Sequence, residues 1–149
     1  MTQQSATGAE SDHRTVARDV LAVVAVTRAA DLNELLDRLA RATRIPGRLV
    51  VVAPEVDDDL GAVLGAHRLR SRLAVVRVLR IKGEVTPARA AMTVLERTDG
   101  LTDGTRFLWL LSADCRPAAT ALDTLLRASR SGRSVAVTAP KVRTGAAPK

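Results

Sequence analysis

The chain has 149 residues, enough for one domain with its own core and too few for two. Hydrophobic residues make up 46% and charged residues 26%, the balance of a soluble globular protein, and no apolar run approaches the ~20 residues that a membrane helix needs. A net charge of +7 invites a nucleic-acid partner. The arginines are scattered through every element, however, and the only aromatics are Phe107 and Trp109, so neither a basic stripe nor a stacking platform forms. The expectation is no nucleic acid and no transmembrane segment, with a general attraction to phosphate groups left open. Met1 to Arg14 lacks the apolar centre of a secretion signal, and Cys115 is the only cysteine, so the expected compartment is the cytoplasm.

In chain order, residues 1–15 are poor in apolar side chains and read as a disordered tail. Val20 to Val26 is a short valine-rich run, the pattern of a buried strand. Asp31 and Glu34 have capping-box spacing, and Leu32, Leu35, Leu36 and Leu39 share one helical face that Pro46-Gly47 would close. A second strand follows at 48–53. Asp57-Asp58-Asp59 then opens a helix with Leu60, Val63 and Leu64 turned inward. A third strand spans 73–79. Thr86 as cap and Pro87 at the first helical position start the next helix, its inner face set at Ala88, Ala91, Met92 and Leu95. A fourth strand at 106–112, a helix from Pro117 to Arg130 through Leu122, Leu125 and Leu126, and a fifth strand at 134–138 complete the series.

Strands this apolar must be covered on both faces, so the alternation predicts a three-layer α/β sandwich with an open, mostly parallel sheet over residues 16–143. Residues 144–149 form a loose tail. Leu35, Leu110 and Leu125 are expected in the core. Sheets of this kind bind ligands beyond the carboxyl ends of their strands. Those ends here are Thr27-Arg28, Ala53-Pro54-Glu55, Leu79-Arg80 and Ser112-Ala113-Asp114.

The chemistry those ends offer is narrow. No G-x-G-x-x-G and no P-loop is present, so the usual phosphate cradles are missing. His13 and His67 have no companions at metal-ligand spacing, and Cys115 reads better as a small buried thiol than as a nucleophile. The informative segment is Phe107 to Pro117, a strand that delivers Asp114 at its tip ahead of a proline-started helix.

That segment resembles the strand-end D-x-D of family 2 glycosyltransferases of the GT-A fold, with Asp114 at the second aspartate and Ser112 at the first. The likeness extends over residues 19 to 143. Val20 to Arg28 is similar to the family's opening strand, whose end touches the nucleotide. Val50-Val51-Val52 is similar to its second, with Ala53 where an aspartate grips the base, followed by Glu55 and Asp58. Gly83 to Arg89 resembles the glycine loop and Ala-Arg-Asn segment, with Ala90 in place of the asparagine. Ser134 to Lys141 resembles a Val-Gly-Pro-Lys stretch.

The resemblance implies transfer of a sugar from a nucleotide-diphosphate donor. Thr27, Arg28, Glu55, Asp58, Arg89 and Ser112 would contact the nucleotide sugar. Asp114 would be the metal ligand, for Mg²⁺ or Mn²⁺ bound weakly and only with the diphosphate. The family's acceptor half, with its catalytic base, has no counterpart in these residues, which implies either a truncated or inactive transferase or a partner protein that supplies that half. Two other readings stand beside this one: a non-catalytic GT-A domain used for binding or assembly, and a plain α/β domain whose strand-end acids are merely solvated.

Overall fold

The computed structural model describes residues 16–56, 58–97, 99–132 and 138–139. It contains strands β1 (Val16–Ala25), β2 (Ile45–Pro54), β3 (Val75–Ile81) and β4 (Phe107–Ser112). The helices are α1 (Ala29–Ala40), α2 (Leu60–Ala66), α3 (Pro87–Leu95) and α4 (Ala121–Arg130), with a 3₁₀ turn at Arg68–Arg72. The sheet order is β3-β2-β1-β4, and every pairing is parallel. This is a Rossmann-like three-layer arrangement. Both tails and nearly all of the expected fifth strand lie outside the described residues. Among the described residues, no helix is long and apolar enough to cross a membrane.

The layers follow from the period-2 geometry of strands. Val20, Ala22 and Val24 of β1, with Val26 just beyond it, join Leu49, Val51 and Ala53 of β2 in one cluster, which also holds the leucines of α1, α2 and α4. Leu21, Val23 and Ala25 join Val50 and Val52 in a second cluster on the other face, under Ala90 and Val94 of α3. Leu32, Leu35, Leu36 and Leu39 of α1 are all buried, as the sequence spacing requires. Each contributes about 1.5–3 kcal/mol through removal from water.

Several local expectations change. Helix α1 is not closed by a capping box. Its cap is Arg28, in extended backbone and without a side-chain cap bond, and Asp31 instead accepts two hydrogen bonds from the Arg28 guanidinium. Pro46 and Gly47 do not end the helix; they lie inside β2. A proline is tolerated there because it stands one residue into the strand, next to a pairing irregularity. From Ala17↔Pro46 to Leu21↔Arg48, β1 advances four residues while β2 advances two. Gly47 sits at this crossing, and a Cβ on it would stand 2.8 Å from the Arg18 Cα and 3.0 Å from the Ala17 carbonyl oxygen.

Strand β3 starts two residues later than the sequence suggests, because Arg68–Arg72 winds into the 3₁₀ turn that buries Leu69. Thr86 caps α3 as expected, accepting from the Arg89 backbone N–H, with Pro87 opening the helix. The inner face of α3 is rotated, however. Ala90, Ala91 and Val94 are buried, whereas Met92 and Leu95 are each 55% exposed and Ala88 is exposed too. Small side chains let this helix lie close against β1 and β4, and the long ones are turned out. Leu110 is likewise 45% exposed and not a core residue, while its neighbours Trp109 and Leu111 are buried on the opposite face. Leu125 is half-buried, with Leu122 and Leu126 carrying the contact of α4.

Leu35→Ala should therefore cost about 2–5 kcal/mol in urea unfolding, and Leu110→Ala well under half of that. Equal losses at the two positions would contradict the layer assignment. Gly47→Ala should destabilise by about 1–3 kcal/mol, because its methyl group meets backbone that cannot rotate away. A melting temperature unchanged from wild type would show that the crossing of β1 and β2 is looser than described.

Candidate functional site

The strand order locates the site. From β1 the chain steps outward to β2 and β3, then returns by α3 to lay β4 on the other side of β1. The order reverses between β1 and β4, and a crevice opens beyond the carboxyl ends of two strands whose connections leave in opposite directions. Ala25 pairs with Ser112 at that end, and the Ala113 N–H donates to the Ala25 carbonyl at 2.9 Å. Thr27 and Arg28 leave β1 on one side of the mouth, and Ser112 and Asp114 leave β4 on the other.

Thr27 and Asp114 are exposed, and Ser112 is half-buried. The Ser112 hydroxyl donates to Asp114 Oδ1 at 2.6 Å, which orients the carboxylate. The Cys115 N–H donates to the Ser112 carbonyl at 3.0 Å and so closes the turn that carries Asp114. The Arg28 side chain is 76% exposed and paired with Asp31 at 3.1 Å. Its guanidinium is held more firmly protonated by Asp31, through hydrogen bond and charge, and to a smaller degree by the charge of Asp114. Arg28 and Asp114 thus feel each other across the mouth. Burial, with a smaller contribution from Asp114, pushes the Cys115 thiol up, which keeps it protonated at neutral pH and unsuited to nucleophilic attack.

The remaining expected residues do not converge on that mouth. Glu55 is exposed beyond β2, where its backbone N–H donates to the Ile81 carbonyl at 3.1 Å. Asp58 is engaged: the Arg80 guanidinium donates to both of its oxygens and also to the Pro54 carbonyl at 3.1 Å. The Leu60 N–H donates to Asp58 Oδ1 at 3.2 Å, fixing the start of α2. Arg89 donates to the Glu84 carbonyl at 2.7 Å, and its Nη1 lies 3.1 Å from where a side chain on Gly83 (φ +82°) would begin. Gly83 is therefore needed both for its backbone conformation and for the space that Arg89 fills. Ala53, where the resembled family grips the base, is fully buried in the core cluster beneath α1 and α2. A carboxylate there would be buried and unpaired.

Arg80 is the residue whose importance the sequence did not disclose. It stands at a strand end, 22 positions from Asp58, and only the pairing of β2 with β3 brings the two together. Among the described residues, no group of three or more His, Cys, Asp or Glu side chains is placed to hold a metal ion. No protein-family model matches the chain, and no curated protein matches it.

Arg80 holds the Asp58 carboxyl below its ordinary value of 3.8. A carboxyl lowered in the folded state stabilises the fold above its unfolded pKa, and that contribution disappears as pH falls through the folded value. Asp58→Asn should therefore lower the melting temperature at pH 7, and the difference from wild type should shrink as the pH falls from the ordinary carboxylate range through the lowered folded value. A difference independent of pH would mean that the ion pair does not contribute through charge.

Proposed function

We propose that the chain is a glycosyltransferase-like domain that binds a nucleotide-diphosphate sugar at the mouth between β1 and β4. The observation that supports this reading is the reversal of strand order there, with an exposed guanidinium on one lip and a hydroxyl-oriented carboxylate on the other. Arg28 provides counter-charge for the diphosphate, Thr27 and Ser112 provide hydroxyls, and Glu55 lies further along the same edge for the nucleoside. Arg89, first expected at the sugar or phosphate, would have to leave the Glu84 carbonyl to reach either. The compartment proposed with such a donor is the cytoplasm.

A resident cation does not fit this chain's own donors. One carboxylate and one hydroxyl are too few hard oxygens for Mg²⁺ or Mn²⁺, which complete their shells with waters and substrate phosphates. Either ion would arrive with the diphosphate. The closed Asp58–Arg80 pair favours the second reading, a non-catalytic binding module that works with a partner protein. The acid expected at the nucleoside is already occupied within the fold.

Calorimetry with a uridine or guanosine diphosphate sugar tests the proposal. Binding should depend on Mn²⁺ and be no tighter than ~0.1–1 mM. Asp114→Ala should remove the dependence on metal while leaving the melting temperature nearly unchanged, and Arg28→Ala should weaken binding with and without metal. Wild-type protein that binds no nucleotide sugar in the presence of Mn²⁺ would overturn the reading. Binding without transfer, even when acceptor and partner are supplied, would select the module.

A further inference from the structure

A hollow of about 430 Å³ opens between α1 and the end of α2, lined in part by Asn33, Asp37, Arg41, His67 and Arg68. Helices between parallel strands run back against them, so Arg41, just past the end of α1, and Arg68, just past the end of α2, lie at the opposite end of the sheet from the β1/β4 mouth. Arg41 and Arg68 are both exposed. Among the described residues, neither guanidinium makes a hydrogen bond or an ion pair. Both still act on one carboxyl: His67, chiefly by its hydrogen bond, lowers the Asp37 pKa, and the charges of Arg68 and Arg41 lower it further.

The obvious structural duty of Arg41, at the end of α1, is already discharged by another residue. Carbonyls at a helix C-terminus attract cations, and Arg72 donates to the Ala40 carbonyl at 3.4 Å. The imidazole of His67 is fully committed as well. Its side chain is only 7% exposed, its Nδ1 accepts from the Leu69 N–H at 3.1 Å, and its Nε2 stands 2.8 Å from Asp37 Oδ1. An acceptor at Nδ1 requires the proton on Nε2, which donates to Asp37. The hollow therefore offers no free imidazole base.

We propose that this hollow binds a small phosphomonoester bearing hydroxyl groups, with Arg41 and Arg68 on the phosphate and Asp37 and Asn33 on the hydroxyls. Two guanidiniums outweigh one carboxylate, which favours an anion. Planar guanidinium forks match phosphate oxygens in pairs. The carboxylate, with its remaining lone pairs, and the amide select a ligand that also donates. The site is separate from the β1/β4 mouth and stands whether or not nucleotide sugar binds there.

Ribose 5-phosphate, inorganic phosphate and ribose serve as probes, titrated into the full chain at constant ionic strength while backbone and His67 ring signals are followed by NMR. Ribose 5-phosphate should give saturable shifts at Arg41, Arg68 and His67, inorganic phosphate weaker ones at the same places, and ribose none. Arg41→Gln with Arg68→Gln should weaken binding by about tenfold or more without lowering the melting temperature, since both side chains are exposed. Asp37→Asn, which keeps a carbonyl acceptor for His67 Nε2–H, should tighten inorganic phosphate, because the competing charge is gone. Asp114→Ala should change none of this. Shifts that rise linearly without saturation, or binding that survives the double arginine change, would overturn the proposal. Inorganic phosphate binding as tightly as the sugar phosphate would overturn the assignment of Asp37 and Asn33.

Discussion

Burial of β1 on both faces is the constraint from which the rest of the molecule is arranged. From Val20 to Val26 no residue is more than 2% exposed. A strand so placed must have neighbours on both edges and helices on both faces, and it has them: β2 and β4 beside it, α1 and α4 below, α3 above. The ligand-binding end follows as a by-product. Because β1 is the strand from which the chain first leaves in one direction and to which it later returns from the other, its carboxyl end must border the crevice.

The two ends of the sheet are managed differently. At the carboxyl ends, charge is mostly spent on holding loops: Arg80 closes Asp58 and the Pro54 carbonyl, Arg89 closes the Glu84 carbonyl, and Arg28 closes Asp31. Among the described residues, Asp114 is hydrogen-bonded only by a hydroxyl two residues away. At the amino ends, the surplus of arginine is less fully consumed, and the hollow beside His67 is where two of those charges remain available. The net charge of +7 is thus more informative by location than by total.

How much of this could be read from the sequence depended on whether the deciding contact was local. The valine runs, the leucine face of α1 and the Thr86-Pro87 start of α3 are set by neighbours within a few positions, and all three are found where the pattern puts them. The inner face of α3 is legible only in part: Ala91 is buried as its spacing requires, whereas Ala88, Met92 and Leu95 are not. The sheet there selects for small size, so Ala90 and Ala91 go in and Met92 and Leu95 stay out. Pro46-Gly47 carries an ordinary helix-ending signature, and only the backbone of Arg18, 29 residues earlier than Gly47, reveals its other use. At the candidate site, the strand-end positions were legible, but the engagement of Asp58 and Arg89 was not. Both depend on partners set by tertiary pairing or by a loop whose path is not encoded in spacing.

The contact at Gly47 carries one further consequence. Polarity normally protects strand register, since a one-residue slip would turn a hydrophobic set into water. The central strand has no such protection: Val20, Ala22 and Val24 on one face and Leu21, Val23 and Ala25 on the other are nearly interchangeable to a solvent that sees neither. What distinguishes the correct alignment of β2 against β1 is steric. Only the residue without a side chain fits opposite the Arg18 Cα, and a slip in either direction would bring the ring of Pro46 or the stem of Arg48 to that place. One hydrogen atom in the position of a Cβ thus acts as the alignment mark for a central strand that is apolar and buried on both faces.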